Sequence, residues 1–213
     1  MTEELLWSRD RLDAALSALS ERDADIRRAL AEVGPPAPRG DGRADFATLL
    51  RIIVGQQLSV KAAATIFGRV EATLGGRLEP RRLLALDDAE LRAAGLSGQK
   101  VRYARGLAEA VLSGALDPPA LAALDDEDVV EAVTALKGFG RWSAQMFLMF
   151  ALGRPDVWPA GDLGVQVALQ RLKRLEARPT PAESEALAAP WTPWRSAAAL
   201  FLWHYHGSAP DAT

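Results

Sequence analysis

Residues 136–144 have the sequence Leu136-Lys137-Gly138-Phe139-Gly140-Arg141-Trp142-Ser143-Ala144. Two glycines separated by one residue predict a tight turn between two helices, and the amide groups after the turn open the second helix. The first N–H groups of a helix have no partner within it and carry about half a positive charge, so they stabilise an anion. Gly138 and Gly140 have no side chain that would keep a phosphate away. The stretch therefore predicts a phosphate-binding hairpin, although a Gly-x-Gly sequence can also merely join two helices.

The remainder of the chain carries the signals of successive helices and almost none of strands. Apolar residues recur at helical spacing between Leu12 and Val33, and residues 34–42 are rich in glycine and proline, which predicts a linker. The segments that begin at Leu84 and Leu121 share one order: a capping-box aspartate and acid, a short helix, a glycine turn and a long helix. We therefore predict an all-α fold that contains two similar helical hairpins.

The composition excludes several kinds of site. The 213 residues include no cysteine, so the chain has no disulfide, no thiolate zinc site and no cysteine-ligated iron–sulfur cluster. The only histidines, His204 and His206, are two positions apart and would point in different directions from a helix. We therefore expect no metal and no other cofactor in catalysis.

Hydropathy and charge limit the location and the partners. No apolar run approaches the roughly 18 residues that a membrane span requires, and residues 1–5 lack the basic-then-apolar order of a signal peptide. We therefore expect a cytoplasmic protein that does not bind membranes. The formal net charge of −3 predicts no broad basic face, so any contact with DNA must be local, through backbone amides and a few cations.

A proline-containing loop with an aspartate at a helix start follows the hairpin, at residues 156–165. The order of hairpin, helix and loop resembles that of the helix-hairpin-helix base-excision DNA glycosylases, and most of all their 3-methyladenine DNA glycosylase II branch. The match lies in residues 53–59, in the segment from the hairpin to Asp162, and in residues 191–196. The resemblance implies two helical lobes with an active-site cleft between them. One lobe is predicted at residues 43–131, and the other, with the hairpin and Asp162, at residues 1–42 and 132–213.

The resemblance implies that Asp162 is the catalytic carboxylate. Cleavage of an N-glycosidic bond develops positive charge on the sugar, and a nearby carboxylate stabilises that charge or orients the attacking water. Many relatives carry two consecutive acids here, whereas this chain has Gly161 before Asp162, and the register from Pro159 to Leu163 makes Asp162 the essential one. An aspartate at a helix start is also a common N-cap, so both roles stay open at this point.

Two tryptophans match aromatic residues of the family's base pocket. Trp142 stands where the bifunctional branches carry a Schiff-base lysine, which implies a single-function enzyme that uses water and leaves an abasic site. Trp194 matches a second pocket aromatic, and Met146, one helical turn after Trp142, shares its face, where some relatives have tyrosine. Indole faces suit an extruded, cationic N-alkylated purine. Trp7 and Trp203 are expected in the hydrophobic core, and the same role is possible for the pocket pair.

The resemblance also implies contacts with DNA and with an ion. Gln57 takes the position that fills the gap left by the extruded base, although it could be a polar residue in an interhelical turn. The other residues to which the resemblance assigns contacts with DNA or an ion lie on the hairpin. Contacts with the DNA backbone are expected from Lys137, Gly138, Gly140 and Arg141, and a monovalent cation is expected at the backbone carbonyls of Thr134, Leu136 and Phe139.

The predicted function is a monofunctional DNA glycosylase of base excision repair that flips out alkylated purines such as 3-methyladenine or 7-methylguanine. We expect it to act as a monomer on double-stranded DNA that contains damaged bases, at the nucleoid. Three alternatives stay open: a non-catalytic helix-hairpin-helix DNA-binding module, an all-helical protein-interaction scaffold, and a glycosylase of different base specificity.

Overall fold

The computed structural model describes residues 6–40 and 42–208. Residues 1–5, which were used above to predict the cellular location, lie outside the described residues. So does Asp41 of the predicted linker. Two short 3-10 helices, Pro119–Ala123 and Ala189–Trp191, accompany the α-helices. The α-helices in chain order are α1 Arg9–Arg22, α2 Ala24–Val33, α3 Phe46–Gly55, α4 Val60–Thr73, α5 Pro80–Ala85, α6 Asp88–Ala93, α7 Gly98–Ser113, α8 Asp126–Thr134, α9 Arg141–Phe150, α10 Leu163–Lys173, α11 Pro181–Ala188 and α12 Arg195–Gly207.

The all-α prediction is confirmed. Within the described residues the extended pairing is limited to one isolated bridge between Trp7 and Arg39. The described part of the linker, residues 34–40 and 42, is non-helical as predicted. None of the helices in the described ranges has both the length and the apolar character needed to span a membrane.

Residues 43–152 form one compact unit, and the described residues before 43 and after 152 form the other. The first boundary coincides with the predicted one, but the second follows the hairpin, whereas the sequence placed it between residues 131 and 132. The reason is packing, because α8 packs on α9 and α9 packs on α3. The helix-hairpin-helix therefore belongs to the compact unit of α3, and not to that of Asp162.

Helix α3 forms the centre of the 43–152 unit, where it packs on α4, α7 and α9. It buries Leu49, Leu50 and Ile53, which recur at helical spacing. The side chain of Asp45 caps its start by accepting the N–H of Thr48 at 2.9 Å. The helix ends at Gly55 because the backbone turns away at the next two residues.

The two predicted hairpin repeats differ in their caps. Asp87 and Glu90 form the expected capping box at the start of α6. At the start of α8, Asp125 makes no side-chain cap hydrogen bond. The acid three residues after it is Asp128, which is one methylene shorter than a glutamate and so less able to reach back to the N-cap amide.

The other unit packs α10 against α12, and α1 against α2 and α12. Its core includes Trp7, as predicted, with Trp191 and Phe201. The helical pattern from Leu12 to Val33 is interrupted at Asp23, where α1 ends. The Asp23 carboxylate accepts the N–H groups two and three residues ahead, at 2.9 and 3.3 Å, and so starts α2 as a separate helix.

Candidate active site

The Asp162 carboxylate is the N-cap of α10. Its Oδ1 accepts the backbone N–H of Val165 at 2.9 Å and the indole N–H of Trp203 at 2.8 Å. Asp162 is half-buried. The capping role is thus confirmed, and it is compatible with catalysis because both donors hold the carboxylate in one orientation through the same oxygen.

Trp203 is a site residue that the sequence did not predict, and its assignment to the core was wrong. It is half-buried and lies 41 positions from the aspartate whose Oδ1 it holds. Gly164 leaves room for this pair, since an added Cβ would lie 3.2 Å from Asp162 Oδ1 and 3.3 Å from Trp203 Cδ1. Nothing in the spacing along α12 indicated this contact, because it depends on which face of α12 meets the start of α10.

The third motif block, residues 191–196, braces the loop that precedes Asp162. Arg195 binds the Asp156 carboxylate through Nε at 2.9 Å and Nη2 at 3.0 Å, and it binds Glu185 through Nη1 at 2.8 Å. The hydrogen bond with Asp156 raises the pKa of Arg195. The Ser196 hydroxyl accepts the N–H of Val157 at 2.9 Å. This block therefore holds the loop to the start of α12.

Trp194, the second predicted pocket aromatic, is half-buried at the N-cap of α12. Its neighbour Trp191 is buried and stacks edge-on against Trp158, with ring centroids 5.5 Å apart. The Trp191 indole N–H donates to Asp23 Oδ2 at 2.8 Å, and Arg22 donates to the carbonyl of Thr192. The junction of α1 and α2 thus anchors the turn from which Trp194 projects.

The predicted glycine turn lies between α8 and α9. Gly138 has a φ of 99°, and an added Cβ would lie 2.3 Å from ring atoms of Tyr103, so no other residue fits there. Gly140 is the N-cap of α9, in an extended conformation with open space where a Cβ would be. Gly140 is exposed, at the end of α9 where the helix dipole stabilises an anion.

The two cationic residues predicted to contact DNA differ in their surroundings. Lys137 is exposed on the turn. Arg141 is exposed but forms a forked ion pair with Glu127, at 2.6 and 3.2 Å. Hydrogen bonding from Arg141 lowers the pKa of Glu127. A DNA phosphate would therefore compete with Glu127 for this guanidinium.

The predicted cation ligands also lie on the hairpin. Thr134 ends α8, and the Leu136 carbonyl accepts the N–H of Phe139 at 3.1 Å. A carbonyl oxygen has two lone pairs, so this hydrogen bond leaves one for an ion, and carbonyl oxygens suit a hard cation. The donor set fits the group, and the ion stays a prediction. The described residues contain no cluster of three or more His, Cys, Asp or Glu side chains able to hold a metal.

Trp142 and Met146 lie one turn apart on α9, as predicted. Trp142 is half-buried, whereas Met146 is only 5% exposed. Met146 therefore contributes little accessible surface.

Gln57 is exposed at the turn after α3 and has a positive φ of 57°. The preceding Gln56 donates from Nε2 to the Gly138 carbonyl at 2.9 Å and to the Ser143 hydroxyl at 3.0 Å. Lys100 donates from Nζ to the carbonyls of Val54 and Gln56, both at 2.8 Å. The sequence did not predict either of these residues.

The predicted site residues are therefore divided between the compact units. Gln57, the hairpin, Trp142 and Met146 belong to residues 43–152, whereas Asp162 and Trp194 belong to the other unit.

The sequence model of the HhH-GPD superfamily of base excision DNA repair proteins matches residues 50–193. The chain belongs to this superfamily. The HhH-GPD chain is 33% identical to DNA-3-methyladenine glycosylase 1 of Schizosaccharomyces pombe over 206 residues, which cover 94% of this chain and 89% of that protein. It is 32% identical to DNA-3-methyladenine glycosylase 2 of Escherichia coli over 199 residues, which cover 87% of this chain and 67% of that protein.

The fold of the HhH-GPD chain is also that of its relatives. The structure of the S. pombe 3-methyladenine DNA glycosylase in complex with abasic DNA superposes with a TM-score of 0.83 at 33% identity, covering 89% of this chain and 95% of that one. The predicted superfamily and its alkylbase branch are thus confirmed, and with them the class of DNA N-glycosylases in base excision repair. The roles of individual site residues stay predictions.

Proposed function

We propose that this chain is a monofunctional DNA glycosylase that flips alkylated, cationic purines out of double-stranded DNA and hydrolyses their N-glycosidic bond. The observation that carries the proposal is the Asp162 carboxylate, held through one oxygen by Val165 and Trp203 at the start of α10. The names of the S. pombe and E. coli relatives, both DNA-3-methyladenine glycosylases, support the class of substrate.

Asp162 acts on the sugar. As the bond between the base and C1′ breaks, the base leaves with the bonding electrons and the sugar becomes positively charged. A carboxylate whose orientation is already set stabilises this charge without reorganising during the reaction. Water then adds to C1′ and loses a proton, which leaves an abasic site.

Trp142 accounts for the single function. It stands two residues after Gly140, where a lysine amine would be needed for a Schiff base with the sugar. An indole cannot form that bond, so the strand stays intact after the base has left. Trp142 is partly exposed, and the π face of its indole attracts a positively charged purine more than a neutral one. The family resemblance assigns the same role to Trp194.

The hairpin binds the DNA backbone. The N-terminus of α9, together with Lys137 and an Arg141 released from Glu127, holds a phosphate without a broad basic surface. A monovalent cation on the carbonyls of Thr134, Leu136 and Phe139 would add positive charge at the same place. We propose that the protein works on damaged duplexes as a monomer at the nucleoid, with no cofactor in catalysis.

The test is a panel of duplexes, each with a single lesion: 3-methyladenine, 7-methylguanine, ethenoadenine or hypoxanthine. We expect base release from the two cationic lesions, strands that break only after alkali, and no covalent adduct on borohydride treatment. Duplex binding without base release would indicate a non-catalytic module. Activity restricted to neutral lesions would indicate a different specificity, and a borohydride adduct would overturn the single function.

A further inference from the structure

The turn after α3 has an unusual backbone that needs support. Helix α3 ends at Gly55, and Gln57 two residues later adopts the left-handed region, with a φ of 57°. Residues with side chains seldom occupy this region. The conformation leaves the Gln57 side chain exposed at the end of the turn. Contacts elsewhere in the 43–152 unit must therefore select it.

Lys100, in the first turn of α7, contacts the end of α3 and the turn that follows it. Its ammonium donates to the carbonyls of Val54 and Gln56, both at 2.8 Å. Carbonyls at the end of a helix lack partners within it and carry partial negative charge, which a cation stabilises. The side chain is half-buried, and desolvation lowers the pKa of Lys100. The Lys100 ammonium thus gives up part of its hydration and binds the two carbonyls of the turn instead.

Gln56 connects the same turn to the hairpin. Its backbone carbonyl accepts from Lys100, and its side-chain amide donates to the Gly138 carbonyl and the Ser143 hydroxyl. These partners lie 82 and 87 positions away in the sequence. Lys100, Gln56 and the glycine turn are therefore linked by hydrogen bonds, and the central residue, Gln56, directly precedes Gln57.

We propose that Lys100 is a positioning residue that holds Gln57 in the conformation needed to fill the gap left by an extruded base. The inference rests on the proposed function, since it requires that Gln57 enters that gap. It adds a dependence that the family resemblance did not supply: recognition of a gapped duplex depends on a lysine on α7 that points away from solvent toward two carbonyls.

The experiment compares Lys100→Met, which removes the ammonium, with Lys100→Arg, which retains donors for both carbonyls. Each is combined with Gln57→Ala in a double-mutant cycle. The measured quantity is the ratio of dissociation constants for an undamaged duplex and for a duplex with a tetrahydrofuran abasic analogue. A 2-aminopurine next to the analogue reports, by its fluorescence, whether the neighbouring bases are unstacked.

We expect Lys100→Met to reduce the preference for the gapped duplex roughly tenfold, with little change in affinity for the undamaged duplex. Lys100→Arg should retain the preference. In the Gln57→Ala background Lys100→Met should have no further effect, because its influence passes through Gln57. If Lys100→Met does not fold, Lys100→Gln, which keeps one donor, takes its place and should lose part of the preference.

Three results would overturn the inference. Equal loss of affinity for both duplexes, with a lower melting temperature, would reduce Lys100 to a cap of α3. Additive effects in the cycle would mean that Lys100 acts by another route. An unchanged preference in Gln57→Ala would remove the gap-filling role of Gln57 itself. Because the readout is binding, the test distinguishes these results from a failure to excise bases.

Discussion

At the scale of single residues, the structure shows that Asp162 caps α10, and the catalytic role proposed for it uses the same contacts. An aspartate that caps a helix has one oxygen committed to an amide. Here the same oxygen also accepts the indole N–H of Trp203, so one side of the carboxylate is held by two donors. If Asp162 acts as proposed, the cap is also what orients the catalytic carboxylate.

Replacement of Asp162 by asparagine separates the two roles. Asparagine caps helices about as well as aspartate and keeps an oxygen for Val165 and Trp203, so the fold should persist. The negative charge is lost, and we expect single-turnover excision to fall by at least ~100-fold, the scale seen when a positioned electrostatic group is removed. Rapid-quench assays on a 3-methyladenine duplex measure it, and binding to an abasic duplex serves as the control. Near-normal excision would leave Asp162 as a helix cap alone.

Trp142 allows a test of substrate charge. A desolvated cation–π contact contributes roughly 2 kcal/mol, which is about thirtyfold in favour of a charged base. Trp142→Ala should therefore lose more activity on 3-methyladenine and 7-methylguanine than on neutral hypoxanthine. Trp142→Phe, which keeps an aromatic face, is the matched control and should retain most of the difference. Equal losses on all three lesions would show that the ring only shapes the pocket.

At the scale of elements, the two glycines of the hairpin have different duties. Gly138 is required by the fold for two reasons. Its φ of 99° disfavours residues with a side chain, and an added Cβ would lie 2.3 Å from ring atoms of Tyr103. Gly140 is not required sterically, since a Cβ there would meet nothing within 4 Å. Its value lies in the open approach to the amides of α9.

This difference predicts that one substitution affects mainly stability and the other mainly DNA binding. Gly138→Ala should destabilise the protein by roughly 1–3 kcal/mol, the usual cost of forcing atoms into a packed site, and lower its melting temperature. Gly140→Val should cost about 1 kcal/mol or less as an N-cap change, yet weaken binding to damaged and undamaged duplexes alike. Thermal unfolding and fluorescence anisotropy measure the two effects. A Gly140→Val protein with unimpaired binding would contradict the role of the hairpin amides.

At the scale of the whole molecule, partly buried ion pairs join segments that are distant in sequence. Asp23, at the junction of α1 and α2, accepts from Lys173 Nζ at 2.6 Å and from Trp191 Nε1 at 2.8 Å. Burial alone would raise the pKa of Asp23, but the hydrogen bonds from Lys173 and Trp191 and the charge of Lys173 outweigh it, so the pKa is lowered. Asp156 behaves in the same way with Arg195.

The direction of these shifts predicts how stability depends on pH. A carboxyl group whose pKa is lower in the folded state binds fewer protons than in the unfolded chain, where its pKa is about 3.9. Its stabilising contribution is therefore present above that value and is lost as the pH falls through the folded pKa. The urea concentration at half-unfolding should fall as the pH drops from about 5 toward 3. Asp23→Asn should be less stable at pH 7 and lose less on acidification, and an equally steep acid dependence in this variant would contradict the assignment.

The sequence by itself determined the features that depend on residues three or four positions apart. The helices, the capping box of Asp87 and the cap at Asp162 all arise from such local hydrogen bonds, so their patterns are visible in the chain. The glycine turn was equally visible, because a tight reversal needs residues without side chains. The motif order that identified the superfamily is likewise a property of the chain.

Only the tertiary structure decided the contacts that complete the site. Trp203 reaches Asp162 across 41 positions, and Lys100 reaches the turn after α3 across 44 and 46. The same packing joined the hairpin to the compact unit of α3 and displaced the predicted boundary. Helical periodicity indicates which face of a helix is apolar, but not which other helix covers it. Polar partners brought together by that choice are therefore invisible in the sequence until the helices have packed.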